Sequence, residues 1–296
     1  NLHYFVFLTI LVIYHLMINK ELEKFVHDSL NEDIRKGDFT SLACINNNNV
    51  SEANIIAKDN GIIAGTELAN YIFKKVDDKL EIDIKLNDGD SVKMNDLVLQ
   101  VKGSTQSILK AERLVLNCMQ LMSAIATKTK NICNKISSTK TKILDTRKTF
   151  PLNRHIQKWA VKIGGGVNHR FGLFDMIMIK DNHIDFAGGI SKAIRKTKQY
   201  LKDKNKHLEI IVEARSLKEV NEILSEGGIK RILLDNFDYE TTRKAVEIIG
   251  DKCQIESSGD ITEKTISEYA KCGVDFISVG ALTHSVTNFD LSLKAF

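Results

Sequence analysis

The stretch LEIIVEARSLKEVNEILSEGGIKRILLDN (208–236) decides the fold. It opens on an apolar run, LEIIVEA (208–214), continues through a helix-like stretch, and returns to a second apolar run, KRILLDN (230–236). The two runs are continuous rather than alternating, as expected of strands buried on both faces of a parallel sheet. The same unit recurs on either side. KILDTRK (142–148) and DMIMIKDNH (175–183) precede it, and CQIESSG (253–259) and DFISVGA (275–281) follow. The last four runs begin at 208, 230, 253 and 275, about 22 residues apart, a natural length for one strand, one helix and two turns. Six such units favour a full or partial barrel over a short open sheet.

Residues 19–135 read differently. INKELEKFVHDSLNEDI carries apolar residues at helical spacing and is followed by a turn at Gly37–Asp38. ANIIAKDNGIIAG reads as a hairpin turning at Asp59-Asn60-Gly61, and TELANYIFKKV as a helix. LEIDIKLNDGDSV and LVLQVKG are expected strands, and SILKAERLVLNCMQLMSAIATKTKNICNKI a long helix with an interruption near Ser123. The asparagines at 46–49 form a polar loop with no assigned chemistry.

Composition bounds the rest. The chain has 296 residues, 42 Lys+Arg against 38 Asp+Glu, a net charge of +4 and 43% hydrophobic residues. Such a chain buries a sizeable core and is not disordered. The small net charge argues against a polybasic nucleic-acid binder, and the single proline, Pro151, against Pro-rich architectures. Five cysteines without a C-x-x-C pair point to reduced thiols in a cytoplasmic protein rather than a disulfide framework or zinc ribbon. Cys253 and Cys272 are given no role. Residues 2–18, LHYFVFLTILVIYHLMI, form an uncharged run a little short of the roughly 20 residues of a membrane span. The run lacks the basic n-region and small-residue cleavage site of a signal peptide. Residues 1–18 are read as an apolar leader outside the native fold, ahead of a membrane anchor or a docked helix.

Nearly every apolar run ends in a charged or hydrogen-bonding residue: Asp145 and Arg147, Lys180 and Asp181, Glu213, Asp235, Glu256 and Ser258, Gly280. Any one alone is more readily a solvated turn residue. Repetition in all six units instead points to a shared cavity, because the C-terminal strand ends of βα barrels converge on the active site. The segment 145–184 is rich in Arg147, Lys148, Arg154, Lys162, His169, Arg170, Lys180 and His183, with few acids. Guanidinium forks and ammonium charges in that number suit a polyanionic small molecule. Gly164-Gly165-Gly166 fits neither a dinucleotide fingerprint nor a Walker loop and is weak evidence of a site. Glu213 and Asp235, on successive strand ends, serve as acid and base, hold Mg²⁺ through waters, or stabilise a developing cation; as an alternative they are salt-bridge partners. SSGD (257–260) and GALTHS (280–285) lie where barrel enzymes often bind phosphate, and His284 is expected to cap or orient.

The motifs GDFTS, KDNGIIAG, KAERLVLN, DTRKT, GGGVNHR, LFDMIMIKDNH, LLDNF and SVGALTHS, in that order from about residue 20 to the end, closely resemble those of the quinolinate phosphoribosyltransferase family. The resemblance implies an α/β protein: an N-terminal α/β sandwich domain (19–135), an incomplete α/β (TIM-like) barrel (136–285) and a C-terminal segment (286–296) returning to the first domain. It implies conversion of quinolinate and phosphoribosyl pyrophosphate to nicotinate mononucleotide, CO2 and pyrophosphate with Mg²⁺, by a homodimer. A related phosphoribosyltransferase acting on another anionic acceptor is the alternative. Carried over, the quinolinate-binding residues are Thr146, Arg147, Lys148, His169, Arg170 and Lys180, with Arg113 reaching the neighbouring subunit's site. Lys148, Lys180, Glu213 and Asp235 become catalytic, the two acids also facing the metal through water. Ser258, Gly259, Asp260, Gly280, Ala281 and Leu282 become the phosphate loops. Two departures stand out. Thr149-Phe150-Pro151-Leu152 replaces the family's usual TTPG, and Asp260 stands where Gly or Asn is usual. An inward carboxylate would repel phosphate, so Asp260 is expected to point out.

Overall fold

A computed structural model describes residues 20–295, and the expected apolar leader lies outside them. The chain divides into two compact units. One takes the chain up to Thr127 together with Phe150–Gly164 and the residues from Val286 on. The other takes Lys128–Thr149 and Gly165–Ser285.

In the first unit, helical residues 20–34 (α1) and Phe39–Cys44 (α2) precede β1 (Val50–Ala57), β2 (Gly61–Ile62), α3 (Thr66–Val76), β3 (Glu81–Ile84), β4 (Ser91–Val92), β5 (Leu97–Ser104) and α4 (Thr105–Lys135). α5 (Arg154–Ile163) and β12 (Leu291–Ala295) complete it. The sheet order is β12-β1-β5-β3, all neighbours antiparallel. The hairpin expected around Asp59-Asn60-Gly61 does not form: β2 pairs with β4 instead of β1. The Asn60 side chain is spent accepting from Met94 N–H (2.9 Å). α3 covers the sheet with Leu68, Ala69, Ile72 and Phe73, all fully buried. It starts at Gly65, whose φ of +96° suits glycine, and Asp88 Oδ1 accepts from both the N–H and the hydroxyl of Thr66. α4 runs unbroken, against the expected interruption near Ser123. That buried hydroxyl accepts from Ala64 N–H (2.9 Å) and faces the Ala64 carbonyl at 3.2 Å, so it serves a neighbouring strand end without disturbing its own helix.

Two boundaries differ from expectation. The first unit closes at Thr127, inside α4, because this helix is one rod with no local stop at the division. Phe150–Gly164 belongs with the first unit rather than the barrel. α5 is strongly amphipathic and buries Ile156, Ala160 and Val161, and its His155 pairs with Glu21. The C-terminal segment pairs with β1 through β12.

The second unit carries β6 (Lys142–Leu144), β7 (Ile177–Ile179), α6 (Asp181–Ala187), α7 (Ile190–Asp203), β8 (Ile210–Ala214), α8 (Leu217–Glu226), β9 (Arg231–Asp235), α9 (Tyr239–Ile249), β10 (Gln254–Ser258), α10 (Ile266–Lys271), β11 (Phe276–Ser278) and α11 (Ala281–His284). All six strands are parallel, in the order β6-β11-β10-β9-β8-β7. Every residue of β8 is buried, as the continuous apolar run requires. Helices start on side-chain caps: Ser216 accepts from Glu219 N–H and Asp238 from Thr241 N–H. β6 and β7 are the two edges, so the sheet does not close into a complete ring. The chain from Val167 runs along β6, with Val167 N–H donating to Ile143 O (2.8 Å) and Asp145 N–H to Val167 O (3.2 Å). Arg170 then reaches from this segment to the carbonyl of Met176, just ahead of β7 (3.1 Å). The gap between the edge strands is thereby lined with hydrogen-bonded chain. Gly164 caps α5, and Gly165, at φ +91°, turns the chain into this segment. Among the described residues no helix is long and apolar enough to cross a membrane.

Candidate active site

Strand register gathers the site. Val212 pairs with Ile179, Glu213 with Leu233, Leu233 with Glu256 and Glu256 with Phe276. Paired residues of a parallel sheet share a face, so Glu213 and Glu256 point to one side and Lys180, next after Ile179, joins that row. Two residues on, Asp235 pairs with Ser258 on the same face. The C-terminal strand ends thus present Lys180, Glu213, Asp235 and Ser258 side by side.

Lys180 Nζ lies 3.3 Å from Glu213 Oε2, and Asp181 N–H donates to Oε1 (3.3 Å). Glu213 is buried while Lys180 is half-exposed, so the ammonium is the accessible end of the pair. The Lys180 N–H donates to Nδ1 of His183 (3.0 Å), which ties His183 to the start of α6. Asp235 Oδ2 accepts from the Asn236 amide at 3.0 Å. The loops beyond β9 and β10 interlock: Asn236 N–H donates to Ser258 O (2.9 Å), and a Cβ on Gly259 would lie 2.1 Å from Asn236 Oδ1. Gly259 also has φ +96°, so a side chain is excluded twice. Asp260 is exposed, with φ +45°, a conformation that Asp tolerates better than most side chains.

After β6, Thr146 Oγ1 accepts from Lys148 N–H (3.0 Å), folding the Asp145–Lys148 loop on itself. Thr283 Oγ1 donates to Lys148 O (2.8 Å), and a Cβ at Gly280 would lie 3.0 Å from Lys148 Cδ and 3.1 Å from His284 Nε2. Lys148 is therefore laid against Gly280, Leu282 is buried, and His284 Nδ1 is hydrogen-bonded to Ser285 Oγ (2.7 Å). Arg147 is exposed and makes no ion pair among the described residues. Burial first, and then the charge of Arg147, push the Arg170 guanidinium below its usual range, against a smaller opposing pull from Asp175. Two guanidiniums near enough for one charge to bear on the other suit a multiply charged anion.

His169 is buried and held at three points. Its N–H donates to Asp145 Oδ1 (2.8 Å), its Nδ1 accepts from Arg170 N–H (2.6 Å), and its Nε2 approaches Glu256 Oε2 (3.4 Å). Glu256 is fully buried and also accepts from Arg231 Nη1 (2.9 Å). Burial raises its pKa, but His169 and Arg231 outweigh that and hold it below the usual range.

The second unit thus brings together Arg147, Lys148, His169, Arg170, Lys180, Glu213, Asp235 and both small-residue loops. Arg113 is exposed on α4 in the first unit. Asp145 and Glu256, expected only as charged strand ends facing a cavity, are buried, as is Arg231, which was given no role. Its signal was visible: a charge inside an otherwise apolar run. Cys272 is buried, its Sγ donating to Glu268 O (3.2 Å), and Cys253 is half-buried away from the strand ends. Among the described residues no cluster of three His, Cys, Asp or Glu could ligate a metal. Glu213 and Asp235 are oxygen donors, which suits an ion held mainly by water and substrate phosphates.

Comparison with known proteins covers most of the chain. The model of the quinolinate phosphoribosyl transferase N-terminal domain covers residues 38–123, and that of the C-terminal domain covers 125–294. A chloroplastic nicotinate-nucleotide pyrophosphorylase [carboxylating] of Arabidopsis thaliana is 44% identical over 289 residues, spanning 93% of this chain and 82% of that protein. A probable nicotinate-nucleotide pyrophosphorylase [carboxylating] of Bacillus subtilis is 36% identical, spanning 94% of each. The solved nicotinate-nucleotide pyrophosphorylase of Francisella tularensis superposes with a TM-score of 0.87 at 41% identity, covering 94% of this chain and 97% of that one. The chain belongs to the quinolinate phosphoribosyltransferase family.

Proposed function

We propose that this chain is a pentosyltransferase of NAD biosynthesis, converting quinolinate and phosphoribosyl pyrophosphate to nicotinate mononucleotide, CO2 and pyrophosphate. The observation that carries this reading is the row of groups at the C-terminal ends of one parallel sheet: Arg147 and Lys148 after β6, Lys180 on Glu213 after β7 and β8, and Asp235 with the Gly259 turn after β9 and β10. Quinolinate has two adjacent carboxylates. Arg147, Arg170 and Lys148 clamp them, at about 1.5–3 kcal/mol net for each charge-assisted hydrogen bond. Several such bonds discriminate a dicarboxylate from a monocarboxylate such as nicotinate by on the order of a hundredfold.

The ring nitrogen attacks the anomeric carbon of phosphoribosyl pyrophosphate while the bond to pyrophosphate breaks. Glu213 and Asp235 offset the positive charge that builds on the ribose. Ser258, Gly259 and the Asp260 N–H on one side, with Gly280, Ala281 and Leu282 on the other, hold the phosphate. Glu213 and Asp235 would hold Mg²⁺, which would supply positive charge against the pyrophosphate. The pyridinium nitrogen then draws electrons, the 2-carboxylate leaves as CO2, and the carbanion left at C2 takes up a proton. Lys148 and Lys180 are the nearby acids.

The protein works as a homodimer in this reading, with Arg113 entering the neighbouring site. In support, Leu109 and Arg113 lie one turn apart and both exposed on α4, and α2 exposes Phe39 and Leu42. Free thiols at all five cysteines suit the cytoplasm. The test is to incubate the protein with quinolinate, phosphoribosyl pyrophosphate and Mg²⁺ and measure CO2 and nicotinate mononucleotide. Turnover of nicotinate in preference to quinolinate would overturn the assignment.

A further inference from the structure

The paired guanidiniums raise a mechanical question. Arg170 is buried and lies within reach of the charge of Arg147, and its position is fixed by contacts at both ends. Its guanidinium is held at one end by Met176 O (3.1 Å). Its backbone is held by the Nδ1 of His169, which accepts the Arg170 N–H at 2.6 Å. An accepting Nδ1 puts the imidazole proton on Nε2, and Nε2 faces Glu256 Oε2 at 3.4 Å. Both ring nitrogens are thus turned to the protein, and the substrate contact expected of His169 gives way to a supporting one.

Glu256 in turn is locked from below. Arg231 donates to its Oε2 at 2.9 Å and to Gln254 Oε1 at 3.1 Å, and its guanidinium carbon stands 3.9 Å over the Phe276 ring. All four residues lie on three adjacent strands, in rows that register makes neighbours. An ion pair this deep adds little stability over apolar residues of equal volume. The arrangement is better explained by where it leads: from the sheet, through His169, to the clamp.

We propose that Glu256 is a positioning residue for acceptor specificity, holding Arg170 in place beside Arg147 through the imidazole of His169. This rests on the functional reading above, in which the two arginines bind quinolinate. A misplaced clamp weakens binding of the dicarboxylate and leaves the phosphoribosyl half of the site alone, since Asp235, Ser258 and Gly259 are held by separate bonds.

The test is steady-state kinetics of wild type and Glu256→Gln with each substrate varied in turn, alongside thermal unfolding. Glu256→Gln should raise the quinolinate KM about tenfold or more, with the phosphoribosyl pyrophosphate KM within about twofold of wild type. Glu256→Asp should recover part of the loss. Because Glu256→Gln leaves Arg231 buried beside a neutral group, the double variant Arg231→Met/Glu256→Gln is measured too, and the same rise in quinolinate KM is expected. A lowered Tm with quinolinate KM unchanged in either variant overturns the proposal, as does an equal rise in both KM values. A wild type that makes no nicotinate mononucleotide from quinolinate defeats the functional reading instead and takes this proposal with it.

Discussion

Arg170 is buried within reach of the charge of Arg147, and burial first and that charge second hold its guanidinium below the usual range. Like charges this near cost stability until an anion arrives, so removing one should trade binding for stability. Arg147→Ala should weaken quinolinate binding by about 2 kcal/mol, roughly thirtyfold, with melting temperature unchanged or slightly raised. Isothermal titration with quinolinate reads this directly, and an unaltered affinity would remove Arg147 from the clamp.

Gly259 sits where a Cβ would overlap Asn236 Oδ1, in a left-handed backbone. Gly259→Ala should therefore displace the Asn236–Ser258 contact, cost more than about 1 kcal/mol of stability and raise the KM for phosphoribosyl pyrophosphate. Denaturant unfolding and kinetics check the two halves of this expectation separately.

Ser123 supplies a buried hydroxyl to the backbone of Ala64 at both N–H and carbonyl. Ser123→Ala leaves that N–H without its acceptor and should destabilise by about 1–3 kcal/mol, measured by urea unfolding. Quinolinate KM should not move.

The pKa of Glu256 is lowered on folding, since His169 and Arg231 overcome the effect of burial. A carboxylate with a depressed folded pKa contributes stability above its unfolded value, near the ordinary 4.5. That contribution is lost as pH falls through the folded value. The stability gap between wild type and Glu256→Gln should thus be full at pH 7 and shrink below the ordinary glutamate range. The facing groups are Arg231 and His169. A gap constant down to pH 3 would contradict the assignment of charge to Glu256.

The six strands were legible because each lies in a continuous apolar run separated from the next by helical sequence. The charged residues at their ends were legible for the same reason. What the sequence could not express was pairing. Asp59-Asn60-Gly61 has the composition of a hairpin turn, yet β2 finds β4, because the Asn60 side chain is recruited by Met94. Phe150–Gly164 follows a barrel strand in sequence but lies with the other unit, a choice made by the apolar face of α5. His169 was picked out by residue type, while its direction depended on Arg170 N–H and Glu256, contacts that no spacing encodes.

The open edge of the parallel sheet divides the labour of the site. The proposed acceptor cations, Arg147, Lys148, Arg170 and Lys180, all come from β6, β7 or the chain lying between them, whereas Asp235, Ser258 and the Gly259 turn come from the interior strands β9 and β10. A seam tolerates insertion and exchange in a way that a central strand does not. One half of the chemistry can therefore drift toward a new acceptor while the sugar-phosphate half stays fixed, which makes the seam the natural place for this scaffold to acquire a different substrate.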